Sequence, residues 1–495
     1  MTPPGGLLQR ALALQQQGQF KQAEQLYAEV LKADPRNFDA LHLLGLTKHQ
    51  QGSNEEALRL IGAALKVKPG SADAQLNYGS VLAALQRHEE ALSYFDRALA
   101  GNPRSPRALN NRGNCLAVLR RFDEALASFD RALAIDPNHV NTLVNRAYTL
   151  VDLGRHAEGK AGYDRALKLL PDQPDTQVHM AFVELATGDF SNGWKRYEWR
   201  WKTAQSAPSR HTSLLRWNGE RVDGGIVAWG EQGLGDEILY SSMVPELMQY
   251  ADKVVLELDP RLKALFSRSM PQVSVIGRGE PVPDGIKAQS PLAGLGQYLR
   301  PTWNAFPKRE GGYLVADQER TTALRRRLSP SGETVIGLSW VSKSPIFGLF
   351  KTAQLIDFDS VLRIPGCRFI DLQYGDTSAE REAVKAATGI VVERLADIDN
   401  TNDIDGLAAL MTACDLVVTV SNTTAHLAGA LGRPTMLFVP QSGGRLWYWF
   451  SDRTDSPWYP RMQVMRQKVG QSWKDLVSGA TAEIAALAKA AHAGS

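Results

Sequence analysis

Cysteine is scarce in this chain of 495 residues, and its three occurrences, Cys115, Cys367 and Cys414, are far apart with no paired spacing. Such sparse use fits a reducing compartment and argues against a zinc site. The chain also has no run of about 18 apolar residues, and its first ten residues lack the charged start and apolar stretch of a signal peptide. We therefore expect a cytoplasmic location and no membrane span.

A large excess of charge of either sign is missing too. The formal net charge is +3, with positive and negative residues interspersed, so the sequence does not indicate nucleic-acid binding. An apolar content of 43% is typical of a globular protein. Because 495 residues exceed what one hydrophobic core usually organises, the length predicts about two to four domains.

The first part of the chain repeats with a period of 34 residues. The prolines that mark this period are Pro35, Pro69, Pro103, Pro137 and Pro171, and the small residues that share it are Ala11, Gly45, Gly79, Gly113, Ala147 and Ala181. A small residue at a fixed position of each repeat predicts that two helices approach closely there. The period and pattern predict tetratricopeptide repeats, five full helix pairs and a partial sixth, stacked as an α-solenoid over residues 1–202.

Repeats of this kind usually hold a protein partner in a concave groove. Three successive repeats carry an asparagine at the same position, namely Asn77, Asn111 and Asn145. An amide carries both a donor and an acceptor, so this row predicts a grip on a peptide backbone. It resembles the asparagine ladder in the superhelix of protein O-linked N-acetylglucosamine transferases. The alternative is that each asparagine only hydrogen-bonds to a neighbouring helix.

Aromatic residues crowd the end of the last repeat. They are Trp194, Tyr197, Trp199 and Trp201. A terminal repeat must cover its exposed apolar face, so capping is the favoured interpretation and stacking on a ligand is the alternative. The sequence of residues 203–222 then predicts a linker.

Strands and helices alternate after residue 222, which predicts doubly wound parallel sheets. Gly233 and Gly235 follow the first strand and free the backbone before a helix, but without the full dinucleotide fingerprint they do not indicate NAD binding. The stretch 277–307 is rich in glycine and proline and predicts loops, of which residues 290–300 are expected to face an acceptor.

The stretch VTVSNTTAHLAGALGRPTMLFVP, residues 418–440, predicts strand, turn, helix and strand. In an open parallel sheet, ligands bind outside the carboxyl ends of the strands, where a helix start presents unpaired N–H groups to an anion. Ser421 or Asn422 is expected to cap this helix, and the N–H groups of Thr423 and Thr424 to point at a phosphate. His426 lies in the first helical turn and can donate a hydrogen bond to the same anion.

Four stretches in order carry a family resemblance: GEQGLGDE at 230–237, LQYGD at 372–376, the turn and helix of 418–440, and PWYP at 457–460. They resemble bacterial proteins that join tetratricopeptide repeats to a glycosyltransferase family 9 domain, which is similar to lipopolysaccharide heptosyltransferases. The resemblance covers residues 225–476. It implies a GT-B fold, two Rossmann-like halves facing across a cleft, with an acceptor half at 223–330, a donor half at 331–495 and a C-terminal helix that crosses back to the first half.

The resemblance also implies the site residues. Asp236 aligns with the general base that takes a proton from an acceptor hydroxyl, whereas the residues alone leave helix capping as an alternative. The residues expected at the nucleotide-sugar donor are Lys343, Lys351, Gln373, Ser421, Asn422, Thr423, Thr424, His426 and Arg445. The family often has aspartate where this chain has Ser421, so one charge is missing from the site. The aromatic residues of 441–459 either stack on a base or sugar or pack between the halves.

Three Asp-x-Asp triplets occur, at 357–359, 397–399 and 403–405. Glycosyltransferases of the other main fold use such a triplet to hold a divalent ion. Here the triplets lie in acidic loops or at helix starts, and GT-B enzymes generally need no metal. We therefore expect no metal and no cofactor, only a nucleotide-sugar co-substrate.

The resemblance implies an inverting, metal-independent glycosyltransferase that moves a sugar from a nucleotide-activated donor to a protein held by the repeats, with flagellin as a candidate acceptor. One alternative is a protein-binding scaffold or chaperone with a degenerate transferase half. Another is a lipopolysaccharide heptosyltransferase-like enzyme. The sequence leaves open the sugar, the nucleotide, the acceptor and the oligomeric state.

Overall fold

The computed structural model describes residues 4–204, 206, 208–308, 311–343, 348–441 and 446–493. The chain divides into two compact units, Met1–Thr176 and Gln177–Ser495. Across the described residues, every helix is too short or too polar to cross a lipid bilayer.

The first unit is a series of helix pairs of near-constant length. Its helices are α1 (Pro4–Gln16), α2 (Phe20–Ala33), α3 (Phe38–Gln50), α4 (Asn54–Val67), α5 (Ala72–Ala84), α6 (His88–Gly101), α7 (Pro106–Val118), α8 (Phe122–Ile135), α9 (Val140–Asp152) and α10 (His156–Leu169). Side-chain caps start several of them: Asn37, Ser71 and Ser105 each accept a hydrogen bond from the backbone N–H three residues on.

The predicted close approach at the small residues is confirmed. A Cβ atom added to Gly113 would lie 2.4 Å from the Phe129 ring, and one added to Gly79 would lie 2.8 Å from the Phe95 ring. In each pair the second helix thus packs an aromatic ring directly onto the backbone of the first. Any side chain at the glycine would force the two helices apart.

The second unit begins within α11 (Pro174–Ala186) and continues with α12 (Phe190–Tyr197) and a 3₁₀ turn at Glu198–Lys202. Its strands are β1 (Leu215–Arg216), β2 (Val222–Trp229), β3 (Ala251–Leu258), β4 (Ser274–Gly277), β5 (Ile286–Pro291), β6 (Thr334–Ser339), β7 (Cys367–Asp371), β8 (Val392–Glu393), β9 (Leu416–Val420), β10 (Thr435–Val439) and β11 (Met462–Arg466). Its further helices are α13 (Leu234–Ser241), α14 (Val244–Leu247), α15 (Lys263–Ser269), α16 (Gly296–Leu299), α17 (Gln318–Leu328), α18 (Asp359–Leu362), α19 (Ser378–Thr388), α20 (Ile404–Ala413), α21 (Thr423–Ala430) and α22 (Trp473–Ala493).

These strands form two sheets, in the orders β1-β5-β2-β3-β4 and β11-β10-β9-β6-β7-β8. Every pairing of strands in both sheets is parallel, as the alternation of strands and helices predicts. The inner strands are buried along their length: β9 and β10 are buried at every residue. Burial on both faces explains why these strands read as continuous apolar runs rather than as alternating ones.

The prediction of loops over residues 277–307 is wrong in part, because β5 lies in this stretch and pairs with both β1 and β2. Its Gln289 is buried and accepts a hydrogen bond at 2.8 Å from the indole N–H of Trp229. A polar strand of this kind carries no apolar pattern. Residues 290–300 are largely buried, and Gly296 packs against the Trp194 ring instead of facing a cleft.

The C-terminal helix also differs from the expectation. Its buried residues, Leu476, Val477, Ala480, Ile484 and Ala488, pack in one hydrophobic cluster with residues of β6, β7, β9 and β10. The apolar stripe of α22 therefore covers the second sheet, and the expectation that it braces the first sheet is wrong.

The turn inside each helix pair of the first unit needs a residue with positive φ. Glycine supplies it at Gly18, Gly52 and Gly154, but Gln86 and Arg120 hold φ of 61° and 62° at the equivalent position. The left-handed conformation costs an L-residue about 1–2 kcal/mol. We expect Gln86→Gly to stabilise the first unit by about 0.5–1 kcal/mol, seen as a higher midpoint of thermal unfolding by circular dichroism.

Gly52 provides the matched control, because it has φ of 81° and no heavy atom within 4 Å of a Cβ atom at its position. Gly52→Gln should lower the same midpoint by a similar amount. Equal midpoints for the two variants would show that backbone strain does not govern this turn.

Candidate functional site

A cleft of about 780 Å³ lies in the second unit, where strands of both sheets end. The residues that follow β2, β6, β7 and β9 all contribute to its wall. The residues that line the cleft from the strand ends and loops include Glu231, Gly233, Gly235, Asp236, Ser342, Lys343, Lys351, Tyr374, Asn400, Thr401, Ser421, Asn422, Thr423, Thr424, His426 and Tyr448. Phe182 of α11, Tyr197 of α12, and Arg200 and Trp201 of the 3₁₀ turn that follows also line it. This is the edge of a parallel sheet at which ligands bind.

The turn between β9 and α21 is held by Asn422, which is the N-cap of the helix. Its Oδ1 accepts a hydrogen bond from the Ala425 N–H at 3.3 Å, and its Nδ2 donates to Ser339 Oγ at 2.8 Å and to the Val341 carbonyl at 3.1 Å. The Asn422 amide is therefore occupied in joining the ends of β9 and β6. It shapes the site more than it is available to a ligand.

The first backbone N–H groups of α21 remain for an anion. Among the described residues, the N–H groups of Thr423 and Thr424 have no backbone or side-chain acceptor. Thr424 is buried and Thr423 half-buried, and both line the cleft. Unpaired N–H groups at a helix start carry the positive end of the helix dipole.

Ser421 is fully buried and has a different role from its neighbours. Its Oγ accepts a hydrogen bond from the Trp449 indole N–H at 2.9 Å. This serine thus binds an aromatic segment of the protein itself.

Lys351 closes a 3₁₀ turn at Gly348–Lys351 and lines the cleft with only 5% of its surface exposed. Burial lowers the pKa of Lys351, whereas the charge of the Asp236 carboxylate raises it. Among the described residues no carboxylate forms a salt bridge with Lys351, and Asp236 acts on it as a nearby charge. The nearby Asp236 carboxylate offsets the cost of burying this ammonium group only in part, and a bound anion would offset it further.

Asp236 lies in the first turn of α13, across the cleft from α21. The Gly233 N–H and the Tyr448 hydroxyl lie close enough to its carboxylate to favour the charged form. Burial raises the pKa of Asp236 to about 6, with Lys351 as the strongest opposing influence. Gly233 is the N-cap of α13, and Asp236 lines the cleft, where a carboxylate with this pKa is suited to take up a proton near neutral pH.

Glu237, the next residue, faces away from the cleft. Its Oε2 accepts a hydrogen bond from the Asp259 N–H at 2.8 Å and its other oxygen contacts Arg278. Burial raises the pKa of Glu237 to about 7. Its contacts fasten α13 to the ends of β3 and β4.

His426 is 2% exposed and lies between the two halves of the cleft. Its Nδ1 is 3.0 Å from the Tyr459 hydroxyl, and its ring stacks on Trp449 with centroids 4.9 Å apart. Burial lowers the pKa of His426 to about 3, so the ring is neutral. When Tyr459 donates to Nδ1, Nε2 carries the proton and can donate it towards the cleft.

The two predicted glycines have separate roles. Gly233 is the N-cap of α13. A Cβ atom on Gly235 would lie 2.8 Å from His426 Cδ2, so only glycine permits α13 and α21 to approach this closely.

The remaining predicted donor residues differ in position. Lys343 is exposed at the cleft, with its ammonium group 5.8 Å from the centre of the Tyr374 ring. Gln373 lies behind the wall, where its Oε1 accepts hydrogen bonds from Ser339 Oγ, Trp340 N and Val341 N at 2.8–3.0 Å. Arg445 lies outside the described residues.

The sequence interpretation missed an ion pair in the wall of the cleft. Both Nη2–oxygen distances from Arg200 to Glu231 are 3.0 Å, and the Arg200 guanidinium stacks over the rings of Tyr197 and Trp201. Burial raises the pKa of Glu231, and Arg200 opposes it. In the sequence, the aromatic segment EWRW was the only signal for this pair. It does not indicate that Arg200 contacts Glu231 after β2.

Aspartates of all three Asp-x-Asp triplets make structural contacts within the protein. Asp357 completes a capping box with Gln354, Asp403 caps α20 through the Gly406 N–H, and Asp397 pairs with Arg327. Among the described residues, no group of three or more His, Cys, Asp or Glu side chains is arranged to hold a metal ion.

The asparagine row of the first unit is bonded to neighbouring helices. Asn77 Nδ2 is 2.9 Å from His42 Nε2, Asn111 Nδ2 donates to Ser80 Oγ at 3.1 Å, and Asn145 Nδ2 donates to Asn110 Oδ1 at 2.9 Å. These contacts correspond to the structural alternative, and peptide binding by the row stays a prediction.

The raised pKa of Asp236 has a consequence for stability. An unfolded aspartate ionises near pH 3.8 and Asp236 near pH 6, so between these values the folded chain holds a proton that the unfolded chain has lost. This residue therefore makes the protein less stable as pH rises through that window. We expect Asp236→Asn to stabilise the second unit at pH 8 by on the order of 1–3 kcal/mol, with the gain vanishing near pH 4.

Thermal unfolding of the variant and the native chain at both pH values measures this gain. Asp252→Asn is the control, because Asp252 is 56% exposed and pairs with Arg221 on the surface. A gain of equal size at pH 4 and pH 8 would contradict the raised pKa.

Comparison with known proteins agrees on the first part of the chain. Tetratricopeptide repeat models match residues 8–58, 42–106, 88–140 and 119–181. Similar solved structures include PilW, a widely conserved type IV pilus biogenesis factor (26% identity, TM-score 0.37, covering 41% of this chain and 92% of PilW), and a thermophilic tetratricopeptide repeat protein of Thermus thermophilus (26%, 0.33, 37% and 99%).

The chain is 32% identical over 294 residues to Protein FlbA of Caulobacter vibrioides, an alignment that covers 54% of this chain and 48% of FlbA. The chain thus spans about half the length of this curated relative. The N-terminal region therefore consists of tetratricopeptide repeats, and the protein has a homologue in FlbA.

Proposed function

We propose that the second unit is a GT-B glycosyltransferase that moves a sugar from a nucleotide-activated donor to a protein acceptor recruited by the repeats, in the cytoplasm. One observation carries the proposal: Lys351, nearly buried and without an ion-pair partner among the described residues, shares a cleft with the unpaired N–H groups of α21 and with Asp236. Two parallel sheets whose strands end at a common cleft are the expected setting.

In this proposal the diphosphate of the donor binds at the start of α21, where the N–H groups of Thr423 and Thr424 and the ammonium group of Lys351 neutralise it. Asp236 takes the proton from the acceptor hydroxyl as its oxygen bonds to the anomeric carbon. The bond between that carbon and the phosphate oxygen breaks on the opposite face, which inverts the configuration. The nucleoside diphosphate leaves, its growing charge stabilised by the same donors.

The acceptor is proposed to be a polypeptide because tetratricopeptide repeats serve protein binding. Flagellin is the first candidate by the family resemblance. Lipopolysaccharide is the competing acceptor, and a binding scaffold without turnover is the competing function.

Binding of the donor tests the role of Lys351. Calorimetry with UDP-, GDP-, ADP- and CMP-sugars should identify one donor, and Lys351→Met should weaken its binding by about 10–100-fold, since a hydrogen bond to a charged group contributes about 1.5–3 kcal/mol. Lys385→Met, an exposed lysine on α19, is the control and should bind normally. No binding of any nucleotide sugar would favour the scaffold.

Transfer tests the role of Asp236. We expect Asp236→Asn to keep donor binding and to abolish transfer, and the native rate to fall below about pH 6 as the carboxylate becomes protonated. EDTA should leave the rate unchanged if Lys351 and α21 neutralise the diphosphate. The measurement is intact-mass analysis of flagellin and of a lipopolysaccharide core incubated with the donor; undiminished transfer by the variant would remove Asp236 from this role.

A further inference from the structure

The aromatic segment Trp447–Trp449 forms a 3₁₀ turn between β10 and β11. All three side chains are buried, and the next residue, Phe450, holds φ of 52° and ψ of 158°. This backbone region is nearly restricted to glycine, so the surrounding contacts must hold the segment in place.

Trp449 supplies those contacts. Its indole N–H donates to Ser421 Oγ at 2.9 Å, its ring stacks on His426 with an interplanar angle of 23°, and its carbonyl accepts a hydrogen bond from Arg466. The segment is therefore fixed to the start of α21, to the first helical turn and to the edge strand β11.

Tyr448 is the next side chain along this fixed segment. It is 5% exposed, lines the cleft, and has its ring centre 5.1 Å from that of His426. The His426 ring lies against the Gly235 backbone, so Tyr448 packs beside the start of α13, where its hydroxyl lies close enough to the Asp236 carboxylate to favour the charged form. A residue that follows the second sheet thus reaches a carboxylate that follows the first.

We infer that Tyr448 is a positioning residue, whose hydroxyl holds the Asp236 carboxylate towards the cleft, and that Ser421 anchors it through Trp449. The catalytic side of the inference rests on the proposed transferase function, because only then is Asp236 a base. A serine at position 421 then has a structural role that requires no ligand, because its buried hydroxyl is a neutral acceptor for the Trp449 indole N–H.

The charged and titratable groups around Asp236 define what Tyr448 contributes. Lys351 and the Gly233 N–H favour the charged carboxylate, whereas burial and Glu231 oppose it. The hydroxyls of Tyr197, Tyr240 and Tyr459 and the neutral His426 ring complete the surroundings. Burial raises the pKa of Tyr448 well above 10, so its hydroxyl remains a donor at neutral pH.

A hydrogen bond donated by Tyr448 favours the ionised form of Asp236, so in this inference the loss of the Tyr448 hydroxyl should raise the pKa of the carboxylate. The test is a pH titration of the protein with ¹³C-carboxyl-labelled aspartate, followed by NMR, in which the Asp236 signal is the one absent from Asp236→Asn. In Tyr448→Phe we expect this pKa to rise by about 0.5–1 unit, the equivalent of one hydrogen bond. Ser421→Ala should raise it in the same direction by less.

Tyr298→Phe is the control, since the Tyr298 ring packs on Trp217 and lies outside the cleft. It should leave the titration unchanged. An unchanged titration in Tyr448→Phe, or a shift of equal size in the control, would overturn the inference for Tyr448. An unchanged titration in Ser421→Ala beside a shift in Tyr448→Phe would overturn the anchoring role.

The titration needs no substrate, which separates this inference from the proposed function. If the native protein transfers a sugar, the low-pH limb of kcat/KM should move to higher pH in Tyr448→Phe by the same amount as the titration. If the carboxylate titrates as expected and no transfer is found with any donor, the proposed function fails and the Tyr448 contact stands.

Discussion

The close packing of α13 on α21 is the contact on which the rest of the candidate site depends. Each helix follows a strand of a different sheet, and the two meet where the Gly235 backbone lies against the His426 ring. This contact brings the first turn of α13, with Asp236, opposite the first turn of α21, with its unpaired N–H groups. Without it, the two sheets would end at separate edges and no shared cleft would exist.

The electrostatics of the cleft follow from this arrangement. Two of the shifts in the cleft have the same cause, since burial raises the pKa of Asp236 and lowers that of His426. Both groups are thereby pushed towards their neutral forms, while Lys351 remains close by as a source of positive potential. Such a site can exchange a proton on one wall and hold an anion on the other.

Several polar residues of the site act within the protein and not on a ligand. Gln373 and Asn422 join the turns after β6 and β9, and Ser421 anchors the indole of Trp449. A motif that resembles a ligand-binding sequence therefore contains residues that shape the site beside residues that face it. Residue type and spacing are the same in both cases, so only the hydrogen-bond partners distinguish them.

Much of the architecture follows from local physics that the sequence displays. The period of 34 and its small residues determined the helix pairs, because a glycine at the fixed position lets a large side chain of the second helix, Ile61, Phe95 or Phe129, pack on the backbone of the first. The apolar runs determined most buried strands, and Asn422 was recognisable as a helix cap. Tertiary structure alone decided the polar strand β5, the covering of the second sheet by α22, and the meeting of Arg200 with Glu231 and of Tyr448 with Asp236. These contacts join residues that are distant in sequence, and no local sequence pattern indicates which distant residue a side chain will contact.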